Sequence, residues 1–296
     1  MRDFVIFGDS TCDLSKDMRE KYDIDYVPMN YVLDGQEYPA SLDWEGLSVK
    51  DFYDAMRNGK RITTTQVPAN VFEERFTEVL EQGKDILYIS CSGALSGSIN
   101  QAILTSKELL EKYPDATIRC VDPKNSSFGQ GIMLMWASDL RAEGKSVDET
   151  ADFIEENKLK VHQVAFPASL SYLKRAGRVT ASSAFFGNII GIKPILISDA
   201  AGQNYAVKKA KGAQGALEEA VKMVAEEIRE PESQIVYISH ADTEETAEAA
   251  KELIMKKVNC KDVIIGYIGP IVGASVGPGT IGIYFIGDEV TIVGEA

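Results

Sequence analysis

Histidine is scarce in this chain: its 296 residues include two, His162 and His240. Zinc sites built on imidazole and most Ser–His mechanisms would have to use one of them. His162 opens a predicted strand and reads as structural, and His240, at the end of "QIVYIS", reads as part of a turn or helix cap. The four cysteines, Cys12, Cys91, Cys120 and Cys260, are widely spaced and form no CxxC pair, so a reduced, cytoplasmic protein is the simplest expectation. Positive charge is short as well. With 31 Lys+Arg against 45 Asp+Glu the net charge is −14, whereas nucleic acid binding needs a basic face. No apolar run approaches a membrane-spanning helix, and the start "MRDFVIFGDS" is too short for a secretory signal and lacks a small-residue cleavage site. The phosphate-binding pattern GxxxxGK(S/T) is missing, as are GxGxxG after the first strand and any cluster of metal ligands at recognisable spacing. No metal or cofactor is expected.

What is present is alternation. "DFVIFGDS" predicts a buried strand, and "SKDMREKY" a helix capped by Ser15. "DYVPMNYVL" predicts one further strand, irregular or at an edge because of Pro28. Helices are expected over "SVKDFYDAMRNG", stopped by Gly59, and over "PANVFEERFTEVLEQG", where Val71, Phe72, Phe76, Val79 and Leu80 form one stripe. "DILYISC" and "TIRCVDP" read as strands with a helix between them, and "SSFGQGIMLMWASDLRAEG" as a helix whose glycines permit close packing. This order predicts a mostly parallel sheet covered on both faces, with ligands gathered beyond the C-terminal ends of its strands. Two loops rich in small and hydroxyl residues lie there, "GDSTCD" (8–13) and "SCSGALSG" (90–97), and "KRITTTQVP" (60–68) adds three threonines immediately before a helix; the three pieces are expected to converge. After about residue 160 the pattern changes to strands with glycine turns and fewer helices, which predicts an α+β second domain with some antiparallel pairing. The expected division is 1–160 and 161–296.

"SCSGALSG" admits three uses. Backbone N–H groups and the peptide dipoles at a helix start favour an anion, with Ser92 and Ser96 as hydroxyl donors and Gly93 and Gly97 allowing close approach. One serine could instead be a nucleophile, although the stretch is not GxSxG and a base is not evident. Ser96 could simply cap the helix. Asp9 reads as an anchor for its own loop. The apolar "AFFGNIIGI", with Phe185, Phe186, Ile189 and Ile190, is either ordinary core or the wall of a ligand cavity. The basic "VKKAKG" (207–212) is either a docking surface or a strand edge guarded by lysines.

Seven segments in order resemble the DegV family, bacterial fatty acid-binding proteins that serve as the B component of fatty acid kinase. They are "DSTCDLS" (9–15), "TTTQVP" (63–68), "SGALSGSINQA" (92–102), "VDPKNSSFGQG" (121–131), "LSYLKRAGRVTASSAFFGNIIGIKPIL" (170–196), "HAD" (240–242) and "VGPGTIGIYF" (276–285). The resemblance implies an α/β chain of two domains. The first would be a mostly parallel three-layer α/β/α domain carrying the carboxylate loops, and the second an α+β domain with a mixed sheet that covers the acyl chain. It implies that Thr64, with Thr63 beside it, and Ser92, with Ser96 nearby, bind the carboxylate of a long-chain fatty acid. Gly93 stands where many members have another serine, and the family's Gly-Arg motif falls on Gly177 and Arg178. Ser275 replaces the histidine that usually precedes the TGPG-type turn; it can donate a hydrogen bond but cannot carry charge. Phe185, Phe186, Ile189, Ile190 and Arg178 would line the cleft or the acyl chain. The implied role is a non-catalytic cytoplasmic carrier for bacterial phospholipid synthesis, which presents its ligand to an ATP-dependent fatty acid kinase that makes the acyl phosphate. Two alternatives remain, a serine-dependent acyl-ester hydrolase and a binder of another apolar carboxylic acid.

Overall fold

The computed structural model describes residues 2–180 and 191–294. β1 (Phe4–Asp9) and β6 (Asp85–Ile89) are apolar almost without interruption, as strands covered on both faces must be. They pair in parallel at the centre of a four-stranded sheet, with β2 (Ile24–Val27) beside β1 and β7 (Ile118–Val121) beside β6. α3 (Ala69–Glu81) and α4 (Ser98–Lys112) cover one face, where Phe72, Phe76 and Leu109 share a core with Ile86 and Tyr88. α1 (Lys16–Tyr22), α5 (Phe128–Ala142) and α6 (Val147–Asn157) cover the other, where Leu134 and Ile154 pack with Ile6 and Leu87. This is the expected α/β/α sandwich. Ser15 caps α1 by accepting the Met18 N–H (3.3 Å), and Gly131 of α5 approaches the loop after β1 so closely that a Cβ would stand 3.1 Å from the Cys12 carbonyl.

The segment "DYVPMNYVL" is not one strand. It divides at Pro28, which has no N–H for a ladder. The first half is β2, and the second is β3 (Asn30–Leu33) in a separate antiparallel sheet with β4 (Gln36–Pro39) and β5 (Thr63–Thr65), in the order β4–β3–β5. The threonine run thus forms a short strand before α3, and Thr64 lies opposite Tyr31. α2 (Val49–Arg57) buries Phe52 and Tyr53 beside this sheet and ends before Gly59, whose φ is +84°.

A six-stranded mixed sheet follows: β8 (Val161–Phe166), β9 (Ile192–Ser198), β10 (Asn204–Lys211), β11 (Ile235–His240), β12 (Asp262–Tyr267) and β13 (Ile281–Ile286). Its order is β10–β9–β8–β13–β11–β12, parallel only between β11 and β12. α8 (Gly212–Glu227) and α9 (Glu244–Lys257) pack on one face through Leu217, Val221, Ala250 and Ile254. From the opposite face Tyr237 and Tyr284 reach Phe128 of α5, with ring centroids at 5.3 and 6.2 Å. The basic stretch lies on edge strand β10, where Lys208 pairs with Glu219 (2.8 Å).

Two short helices join the halves. α7 (Ser171–Ala176) follows β8, and α10 (Pro270–Val276) precedes β13. Ile271 and Ala274 of α10, with Ile268 before it, belong to the core of the first half, and the Tyr53 hydroxyl donates to the Ile268 carbonyl (2.6 Å). Among the described residues no helix is long and apolar enough to cross a membrane.

Candidate functional site

Asp9, at the C-terminal end of β1, is fully buried and organises the loops around it. Its Oδ1 accepts the Thr11 N–H (3.0 Å) and hydroxyl (2.5 Å), and its Oδ2 accepts the Tyr88 hydroxyl (3.0 Å) and the Cys91 N–H (2.8 Å). The loops after β1 and β6 are thereby held together. The third loop joins them where the Val67 N–H donates to Ser98 Oγ (3.1 Å) and the Gln66 carboxamide lies against Gly97. A Cβ at Gly97 would stand 2.2 Å from Gln66 Oε1, so a larger residue there would move the Gln66 side chain.

The converged loops form one side of a cavity. Thr64, Ser96 and Cys91 contribute from the first half of the chain, and Ala165, Leu196 and Tyr284 from the mixed sheet. α10 closes it with Ile271, Val272, Ser275 and Val276. Arg178 is the one charged side chain among its described lining residues, and no carboxylate lines it. The Arg178 guanidinium is fixed by donating to the carbonyls of Leu95 (3.1 Å) and Ala176. Burial pushes the Cys91 thiol well up, so it is a neutral wall group rather than a nucleophile.

The residues singled out in the sequence separate into three groups. Thr64, Ser96, Arg178 and Ser275 line the cavity together. Thr63, Ser92 and Gly93 do not. The Thr63 side lines a neighbouring cavity. The Ser92 hydroxyl is wholly buried and donates to the Gly202 carbonyl (2.8 Å), so it secures the β9–β10 turn. Gly93 donates its N–H to Asp122 Oδ1 (3.1 Å), and a Cβ there would meet the same carboxylate at 2.7 Å. Phe185, Phe186, Ile189 and Ile190 lie outside the described residues. Nor is Ser96 the cap residue of α4: Gly97 holds that position, and Ser96 Oγ accepts the Ser98 N–H (3.2 Å) from one residue further out.

Neither histidine is bonded to Ser92 or Ser96 among the described residues. His162 contacts Glu227 (3.1 Å) and the Asp288 carbonyl (2.6 Å). His240 is buried against Tyr267, its Nδ1 accepts the Thr243 N–H (3.1 Å), and burial lowers its pKa, so the ring is neutral. The described residues contain no cluster of His, Cys, Asp or Glu able to hold a metal ion.

A family model described as "Uncharacterised protein, DegV family" matches residues 3–288. A DegV domain-containing protein of Clostridium perfringens is 40% identical over 288 residues, covering 97% of this chain and 99% of that one. The chain belongs to the DegV family. Among solved structures, a DegV lipid binding protein from Thermotoga maritima superposes with a TM-score of 0.85 at 27% identity, covering 98% of this chain and 100% of that one. A DegV family protein from Thermus thermophilus, described in terms of its fatty acid binding, gives a TM-score of 0.86 at 27% identity, covering 97% and 100%.

Sequence inspection missed several groups that line this DegV chain's cavity: Gln66, Gln163, Ile271, Val272, Val276 and Tyr284. The proline that opens "PIVGASV", at the first helical position, carried a signal for the start of α10. Gln163 and Tyr284 gave none. They sit on strands β8 and β13, whose alternation predicts a face but not which cavity that face borders.

Proposed function

We propose that this chain is a non-catalytic carrier of a long-chain fatty acid. The carboxylate sits at the cavity mouth by Thr64, Ser96, Ser275 and Arg178, and the acyl chain runs along α10 and the mixed sheet. The observation that carries this reading is the lining: an apolar wall between the two sheets, a group of hydroxyls and, among the described residues, one guanidinium and no carboxylate. Burying an alkyl chain is worth roughly 0.8 kcal/mol per methylene, so a chain of about 16 carbons supplies on the order of 10 kcal/mol. The polar groups then need only fix the head. Relatives whose structures are described as lipid binding or fatty acid binding support the ligand class.

The finer assignments belong to the same proposal. The protein works in the cytoplasm of a bacterium and presents its bound acid to an ATP-dependent fatty acid kinase, which forms the acyl phosphate for phospholipid synthesis. It needs no metal or cofactor of its own. The domain boundary falls between residues 160 and 161, with α10 reaching back over the seam. The serine hydrolase alternative is disfavoured because Ser92 is spent on Gly202 and both serines lack a histidine partner. The test is to strip the protein of lipid and titrate hexadecanoic acid calorimetrically, with a p-nitrophenyl acyl ester assay alongside. One acid bound per chain and no serine-dependent turnover is the expected result. Ester turnover abolished by Ser92→Ala or Ser96→Ala would replace the carrier with an enzyme.

A further inference from the structure

Several polar side chains around the cavity between the sheets are spent on the protein itself. The Thr11 hydroxyl lies on Asp9 and Gln130 (2.5 and 2.7 Å), and the Thr280 hydroxyl donates to the Gly277 carbonyl (2.9 Å). Thr64 and Ser275, both half-buried, serve the carboxylate in the proposed carrier. Two deeply buried groups are left over. Ser126 and Gln163 line the cavity at 6% and 5% exposure, yet the Ser126 hydroxyl and Gln163 Oε1 have no hydrogen-bond partner among the described residues. Leaving a buried donor or acceptor unpaired costs free energy, and a plain alkyl chain laid against these two would leave them so.

Both groups are held in place from outside the cavity. Asn204 Nδ2 donates to the Arg178 carbonyl (3.0 Å), which can only accept, so Asn204 turns its Oδ1 to Gln163 Nε2 (2.9 Å). The remaining Gln163 atom, Oε1, is therefore an acceptor. Gln163 pairs across the ladder with Tyr284, which puts both side chains on the cavity side of the mixed sheet. The Ser126 N–H donates to Asn125 Oδ1 (3.0 Å). Asn125 Nδ2 in turn donates to the carbonyl of Val161 (3.0 Å), on the same strand as Gln163 and the same face. An acceptor and a hydroxyl are thus fixed around one apolar space.

We propose that Ser126 and Gln163 form a subsite for a hydroxyl group on the acyl chain, so that the preferred ligand is a hydroxylated long-chain fatty acid. The assignment rests on the carrier reading and narrows its ligand. A hydroxyl both donates and accepts. It donates to Gln163 Oε1 and accepts the Ser126 hydroxyl proton at once, which a methylene cannot do. A keto oxygen accepts only, and so engages Ser126 alone.

The test is titration calorimetry of the lipid-stripped full chain with hexadecanoic acid and with hydroxyhexadecanoic acids whose hydroxyl is moved from the carbon beside the carboxyl to the chain end. The keto counterpart of the best of them completes the set. One positional isomer should bind about tenfold tighter than hexadecanoic acid, and its keto counterpart should fall between the two. In Ser126→Ala the preference for the hydroxy acid should shrink at least about threefold, and that for the keto acid should vanish. Gln163→Leu should reduce the preference for the hydroxy acid and leave that for the keto acid unchanged. Ser126→Ala removes a single oxygen, and it decides the matter alone if Gln163→Leu does not fold. A hydroxy acid that binds no tighter than hexadecanoic acid at any position overturns the proposal and leaves the carrier reading standing. An advantage that persists in both variants overturns it too, since the hydroxyl is then met elsewhere. Uptake of a hydroxy acid without hexadecanoic acid supports the subsite and contradicts a carrier of the plain acid. Uptake of no acid at all removes both.

Discussion

Asp9 and Ser92 are both fully buried polar residues at strand ends, yet only one could be assigned from the sequence. Asp9 bonds to Thr11 two positions on, and such local turn chemistry is visible in a short window. Ser92 bonds to Gly202, 110 residues away, and nothing beside it in the chain announces that partner. The resulting prediction separates the serines. Thr64→Ala and Ser96→Ala should each weaken hexadecanoic acid binding by about 0.5–1.5 kcal/mol, whereas Ser92→Ala should lower stability by about 1–3 kcal/mol and leave affinity nearly unchanged. Calorimetric titration and thermal unfolding of the three variants check this; a binding loss confined to Ser92→Ala would restore that serine to the head-group site. Asp13 gives a second residue-scale prediction. Burial raises its pKa from 3.8 to about 7, although the Ser127 hydroxyl (2.5 Å) and the Gly269 N–H (2.9 Å) both favour the ionised form. A carboxyl whose folded pKa exceeds its unfolded value contributes stability that is complete below the unfolded pKa and is lost as pH rises through the folded one. Between about pH 4 and pH 7 the wild type should therefore lose on the order of a few kcal/mol relative to Asp13→Asn, which lacks this titration. Parallel pH-dependent melting curves for the two proteins would show no divergence if Asp13 keeps an ordinary pKa.

At the scale of elements, the long periodic segments were legible and the short ones were not. α3, α4 and the buried strands β1 and β6 follow from apolar stripes and runs that leave little choice of structure. β5 has three threonines and β4 is largely exposed, so neither carries an apolar pattern, and their small sheet exists through pairing with β3. α10 has seven residues, too few for a periodicity to show, and its place is set by Tyr53 and the core it enters. The β9–β10 turn is a comparable tertiary device. Gly202 has φ +85°, and a Cβ there would lie 2.2 Å from Ser92 Oγ and 3.0 Å from the Lys124 Cα. Gly202→Ala should cost about 1–3 kcal/mol through backbone strain and displacement of the turn. Gly215→Ala, inside α8 and with its nearest contact at 4.0 Å, should instead be neutral or add up to about 1 kcal/mol. Unfolding midpoints for the pair measure the contrast, and a neutral Gly202→Ala would show that the turn is not held as described.

For the whole molecule, the change of pattern after about residue 160 pointed to an α/β unit followed by an α+β one, and the family resemblance implied a ligand between them. Neither conveyed the cavity's walls, which come from side chains on opposite sheets and from a helix that crosses the seam. That juxtaposition is the basis of the central claim, that the space between the sheets is filled by an alkyl chain with its carboxylate at the hydroxyl-rich mouth. The most direct test is native mass spectrometry of the protein as purified from a bacterial host, followed by organic extraction and identification of what is released. The account predicts one long-chain fatty acid per chain, bound without supplementation. A protein that arrives empty and takes up no added fatty acid would contradict it.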